Sequence, residues 1–372
     1  MLVLSHIKSK RKRPLAQDNA LRVLLTPCVV CNLLGQTIRA ENGPSQPESS
    51  QGLRPSLVVP VPLAIFFSAG GSSMALDTFL QQLSNGLILG CLYALIAIGY
   101  TMVYGILRLI NFAHGDIFMM SMYFAYFVFV IFNFPWYVVF SIAAVLTALL
   151  GVVIEKTAYR PLRSKGAPKI SLLISTIGVS YLLQNLSTVL FSGRPKEFMQ
   201  IDIFTDVVEI SNLRVQGMVL WVPVVTAALV LMLTYVVHRT KTGLAMRALA
   251  KDADTARLMG MDINRTIMVT FGIGSILASI GGMFWGMKYP QVTPTIGIMP
   301  GLKCFIAAVL GGIGNINGAV LGGLLLGLIE TMTVAFLPSL TSYRDAFAFV
   351  ALIVILLVKP SGIVGEKIVD KV

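Results

Sequence analysis

Nine apolar segments follow one another between residues 79 and 358, at 79–106, 112–133, 136–158, 170–191, 218–238, 266–288, 299–313, 317–337 and 343–358. A backbone inside hydrocarbon must satisfy its own N–H and C=O groups, so such segments fold as membrane-crossing helices. The expected fold is therefore an all-α polytopic membrane protein with eight to nine transmembrane helices. The open count concerns 299–313, which is short and Gly-rich at its end, and reads as a half-helix or re-entrant segment as readily as a span. Composition excludes the soluble alternative: 56% of the 372 residues are hydrophobic and only 12% charged, about half the usual charged share. The net charge of +12 belongs to loops that orient a membrane chain. No basic face interleaved with aromatics appears, so nucleic acid is not an expected partner.

The one long polar stretch inside this run is 239–266, RTKTGLAMRALAKDADTARLMGMDINRT. Asp252 is placed to cap a short helix over 253–259, and Gly260 stands where a left-handed residue would end it. Ala253, Ala256 and Gly260 recur at i, i+3 and i+7, which predicts a small, smooth face suited to a groove in another protein, with Asp254 and Arg257 paired beside it. An ordinary solvated loop is the competing reading.

With this loop placed in the cytoplasm, nine crossings put fifteen Lys and Arg of 74–372 inside and six outside. That split predicts an N-out, C-in chain. The loop 192–217, with Glu197, Asp202, Asp206 and Glu209 against Arg194, Lys196 and Arg214, is then external and net acidic. Residues 1–73 differ in kind: a basic run from Lys8 to Arg13, a Pro/Ser/Gln-rich tract, and an apolar run at 57–67 too short to span. They read as a disordered extension or a mis-called start ahead of Met74.

Residues that would carry chemistry are scarce. The glycine cluster Gly311-Gly312-Ile313-Gly314-Asn315-Ile316-Asn317-Gly318 lacks the Lys of a phosphate-binding loop. His6, His114 and His238 show no metal-ligand spacing, and Cys28-Val-Val-Cys31 has no second pair to complete a zinc site. No catalytic arrangement stands out, and energy must come from a partner or an ion gradient.

Three motifs resemble one family. The order Arg247-Ala248, Asp252, Ala256, Leu258-Met259-Gly260 resembles the coupling loop of ABC-importer permeases, as carried by branched-chain amino acid permeases of the LivH type. Ala248-Leu249-Ala250 stands where the general pattern has Glu-Ala-Ala. Asn111-Phe112-Ala113-His114-Gly115-Asp116 matches that family's NFAHG element. There Asn111 can cap the second helix, Gly115 allows close backbone approach, and Asp116 suits a helix N-terminus. Its reading is a gate or a tightly packed helix end. Gly311 to Gly327, preceded by Ala307-Ala308-Val309 and, on the outer approach, by Gln291, Pro294 and Gly297, resembles a third region of that family. Gly86/Gly90, Gly318/Gly322 and Gly323/Gly327 are spaced for helix packing.

The resemblance covers 74–372 and implies an ABC-importer permease fold in a bacterial inner membrane. It implies partnership with a second, different permease, two cytoplasmic ATPases and a periplasmic binding protein. ATP and Mg would be bound by the ATPases, and no cofactor by this chain. Branched-chain amino acids are the implied cargo; a same-superfamily permease for urea, amides or another amino acid, and an ion-coupled secondary transporter, are the alternatives. Finally, Lys303 and Glu330 lie within apolar segments, where an unpaired charge is costly. Equal distance from the turn near Asn315 permits them to pair, and an exchange of the two charges would then restore what either change alone loses. Alternatively Lys303 snorkels outward and Glu330 bonds a neighbouring helix.

Overall fold

A computed structural model describes residues 72–210, 213–336 and 338–365. The expectations about the extension ahead of Met74 and about Cys28 and Cys31 fall, apart from positions 72 and 73, outside these residues. The elements are α1 (Ser72–Leu107), α2 (His114–Phe132), α3 (Trp136–Ile154), α4 (Lys169–Phe191), α5 (Met218–Arg239), α6 (Lys241–Lys251), α7 (Ala253–Leu258), α8 (Ile263–Lys288), α9 (Ile298–Gly311), α10 (Ile316–Phe336) and α11 (Arg344–Val358). Among the described residues eight helices are long and apolar enough to cross a membrane, while α9, at 14 residues, extends about 21 Å. That falls short of the ~30 Å hydrocarbon layer.

The centre of the bundle is α1. Its apolar residues have no preferred side, and 94% of its membrane window is buried, against 17% for α5 and 6% for α11, as expected for a helix that is hydrophobic all round. It lies antiparallel to α10 in backbone contact: a Cβ on Gly90 would sit 2.8 Å from the Leu324 Cα, and one on Gly323 would sit 2.5 Å from the Ala94 nitrogen. Gly318 and Gly322 bring α10 equally close to Gly311 and Ala307 of α9. The glycine spacings thus act as packing surfaces, where loss of Cβ lets helices approach without a hydrophobic drive.

Two ends of the bundle can be distinguished. Arg108, just past α1, donates from Nη2 to the Ala250 carbonyl at 3.2 Å, so the C-terminal end of α1 lies at the 239–266 loop. At this end α3 continues through a π-helical turn, Glu155–Tyr159, to Ser164. The buried Glu155 accepts from Arg163 at 2.9 Å, and Arg163 also donates to Asn264 at 2.8 Å, tying α3 to the start of α8. The opposite end carries two small two-stranded sheets, one of them a hairpin, that the apolar pattern did not reveal. β1 (Lys196–Glu197) pairs with β4 (Gln291–Val292), and β2 (Val207–Ile210) pairs with β3 (Leu213–Gln216), both antiparallel. Phe204 holds this loop down against Trp136, Trp221 and Phe284 at centroid distances of 5.4, 6.0 and 5.6 Å.

The chain after α11 folds back onto α9. Ile363 and Val364 donate their N–H groups to the Leu310 and Gly311 carbonyls at 2.9 and 3.0 Å, and Asn315 donates to the Val364 carbonyl at 3.2 Å. Gly312, with φ of +108°, makes the turn that exposes those carbonyls.

Candidate functional site

The polar loop is built from three capped helices. Thr240 accepts from the Gly243 N–H at 3.1 Å to start α6. Asp252 accepts from the N–H groups of Asp254 and Thr255 at 3.0 and 3.2 Å to start α7, and Asp262 accepts from Arg265 at 3.1 Å to start α8. Gly260 adopts φ of +77°, and the Met261 N–H returns to the Ala256 carbonyl at 3.2 Å, so α7 is closed at both ends.

The face of α7 is the reverse of the expectation. Ala256 is 3% exposed and packs into the chain's own body, while Leu258 and Met259 are 87% and 77% exposed. Ala253 and Gly260 are on the exposed side with them, and no ion pair joins Asp254 to Arg257 among the described residues. The physical reason is that α7 follows α6, whose Gly243, Met246 and Leu249 are buried. That seats the pair of helices and turns the small residue inward. The unforeseen α6 had a signal in those three positions behind a Thr cap. On it Arg247 is exposed and bonds the His238 carbonyl at 3.4 Å, and the Ala248 carbonyl receives the Asp252 N–H at 3.0 Å.

Asn111 does not cap α2. The N-cap position is Ala113, without a side-chain bond, and Asn111 Oδ1 instead accepts from the Tyr159 hydroxyl at 2.9 Å. The π turn of α3 carries Tyr159 into that position. Asn111 Nδ2 and Arg163 Nη1 have no protein partner among the described residues. Both residues line a cavity of about 20 Å³, room for one water. His114 is buried edge-on to Tyr100 at 4.6 Å. Gly115 meets Gly297 and Gly301, where a Cβ would lie 2.6 Å from the Gly297 carbonyl oxygen, so the second and third sequence motifs are in direct contact. Asp116, also buried, accepts from Ser180 and, at 3.0 Å, from Gln184 of α4.

Lys303 and Glu330 meet. Lys303 Nζ is 2.9 Å from Glu330 Oε1 and 2.7 Å from Asp345 Oδ1; Arg344 Nε lies 3.4 Å from Glu330 and 3.7 Å from Asp345. The Tyr93 hydroxyl donates to Glu330 Oε2 at 2.8 Å. Four charges in balance join α9, α10, α11 and the central α1. Sequence reasoning missed Arg344 and Asp345 because, at the head of α11, they read as loop charges.

Central glycine-packed spans, a short helix beside a buried ion-pair cluster and a capped polar loop define a polytopic all-α membrane protein. Residues 82–356 match the family described as "Branched-chain amino acid transport system / permease component". The chain is 40% identical over 307 residues to the high-affinity branched-chain amino acid transport system permease protein LivH of Escherichia coli strain K12, covering 79% of this chain and 98% of that protein. It is also 40% identical to BraD of Pseudomonas aeruginosa, with the same coverage. A ribose import permease of Escherichia coli strain K12, RbsC, shares 25% identity over 51% of this chain and 57% of its own length. No solved structure matches. The chain belongs to the branched-chain amino acid permease family, and is a multi-pass membrane transport subunit.

Proposed function

We propose that this chain is one of two different permease subunits of an ATP-driven importer for branched-chain amino acids. In this reading two cytoplasmic ATPases dock at the 239–266 loop, and a periplasmic binding protein delivers cargo at the hairpin end. The N-terminus of 74–372 is outside and the C-terminus inside. ATP and Mg stay with the ATPases. Cargo crosses between the two permeases as they alternate access.

The observation that carries the proposal is the pair Leu258 and Met259, two large apolar side chains almost fully exposed on a helix fixed by caps at both ends. Such a knob is stable when another protein covers it. Its motion would reach the spans directly. Met261 bonds back to Ala256, Asp262 caps α8, and Asn264 holds Arg163, so a push on α7 moves α8 and α3 together. The printed names of the relatives supply the cargo class.

The test is uptake of labelled leucine into proteoliposomes holding the full set of subunits. Uptake that requires ATP and survives a protonophore supports the reading. Uptake driven by an ion gradient without ATP would favour a secondary transporter instead.

A further inference from the structure

A cavity of about 490 Å³ opens among α1, α8, α10, the head of α11 and the β2–β3 hairpin. Its wall includes Asn85 and Leu89 of α1, some 20 residues before the loop end of that helix, so it lies about 30 Å from the coupling loop. The volume is that of a small-molecule site.

The lining is polar at one side and apolar at the other. Lys288, Arg344 and Glu330 contribute charge, Gln81, Gln82 and Asn85 contribute amides, and Leu89, Val207 and Val334 contribute apolar surface. The charges are not equivalent. Glu330 Oε1 is held by Lys303, which stands outside the lining, at 2.9 Å and by Arg344 at 3.4 Å, and Arg344 also lies 3.7 Å from Asp345. For Lys288 no carboxylate among the described residues is within ion-pair distance; its nearest charge-stabilising contact is the Tyr289 ring at 5.9 Å. Tyr289 lines the same cavity. Burial first and then the Glu330 carboxylate push its hydroxyl above the usual tyrosine range, while Arg344 pulls it down.

Lys288, a cation with an open side, attracts an anion; both oxygens of Glu330 are already engaged by Lys303, Arg344 and Tyr93, so a cationic group on the ligand falls to the amide carbonyls of Gln81, Gln82 and Asn85 in the same wall. A ligand carrying both charges on one carbon, with an apolar remainder, uses every part of this wall. We infer that the cavity is a binding site for the zwitterion of an apolar α-amino acid: the α-carboxylate at Lys288, the α-ammonium at the amide carbonyls of Gln81, Gln82 and Asn85, and the side chain on Leu89, Val207 and Val334. The choice of an amino acid rests on the function proposed above. What is added is a station for the cargo within this subunit, at the end of the bundle away from the ATPase loop.

The experiment uses the complete transporter with Val334→Cys, a near-isosteric change on the apolar wall. A polar thiol reagent is applied, and labelling at position 334 is read by mass spectrometry. Cys91 and Cys304 are buried and serve as internal references. Leucine at about ten times its half-protecting concentration should slow labelling about tenfold by simple mass action. Leucinol, which lacks the carboxylate, and 4-methylvalerate, which lacks the ammonium, should protect weakly. Adding Lys288→Gln should abolish leucine protection, and Lys288→Arg should keep it. Equal protection by all three compounds, or by none, overturns the site. ATP-dependent leucine uptake by the same Val334→Cys complex is measured in parallel. Uptake without protection rejects this site but leaves the importer intact, and protection without ATP-dependent uptake does the opposite.

Discussion

Replacing Lys303 by Met removes one of two cations from a cluster of four charges. Glu330 has a side chain only 5% exposed, so the cluster is left with a net negative charge beside apolar helices. Removing one partner of a buried pair costs about 3–5 kcal/mol. The lower end is expected here, because Arg344 remains 3.4 Å from the same carboxylate oxygen and Tyr93 still donates to the other. Glu330→Gln should cost less, about 1–3 kcal/mol, since Lys303 keeps Asp345 at 2.7 Å. The double variant leaves Arg344 and Asp345 balanced, so its loss should fall short of the summed single losses by about 1–3 kcal/mol. Thermal midpoints of the three variants in detergent provide the measurement. Strictly additive losses would refute the pairing. The structure also revises the charge-exchange test suggested by an isolated pair. Lys303→Glu with Glu330→Lys would set a carboxylate against Asp345 and an ammonium against Arg344, so that double exchange should not recover function.

Leu258→Asp or Met259→Asp should abolish ATPase association and uptake while changing subunit stability by less than about 0.5 kcal/mol, as for other exposed positions; co-purification and thermal midpoints separate the two effects. Ala256→Arg should instead destabilise the loop itself, because the site is 3% exposed, and limited proteolysis between α6 and α8 would report it. Gly323→Leu should cost at least about 1–3 kcal/mol through overpacking and lower the yield of folded protein, since even a Cβ there would press on Ala94. Gly323→Ala should be milder but measurable by the same midpoint.

The spans were legible because length and hydropathy decide what can cross a bilayer, and those properties are local. The caps at Asp252 and Gly260 were legible for the same reason, being set by neighbours within a turn. Which way Ala256 points was not, since it depends on how α6 seats against the bundle. Asn111 had the right chemistry for a cap and was drawn off by Tyr159, 48 positions later. Lys303 and Glu330 could be matched by depth, but the rest of their cluster comes from α1 and the head of α11, which counting along one hairpin does not reach.

The bonds from Ile363 and Val364 to the end of α9 impose an order on biogenesis. Helix-terminal carbonyls without partners are costly where water is scarce, and Leu310 and Gly311 at the end of α9 are buried. Its last carbonyls are matched by residues about 50 positions downstream, which leave the ribosome only after α10 and α11 have been made. The short helix beside the ion-pair cluster is thus the last part of the bundle to become secure. A chain stopped after α11 would carry every helix of the bundle and still lack the piece that seals one of them.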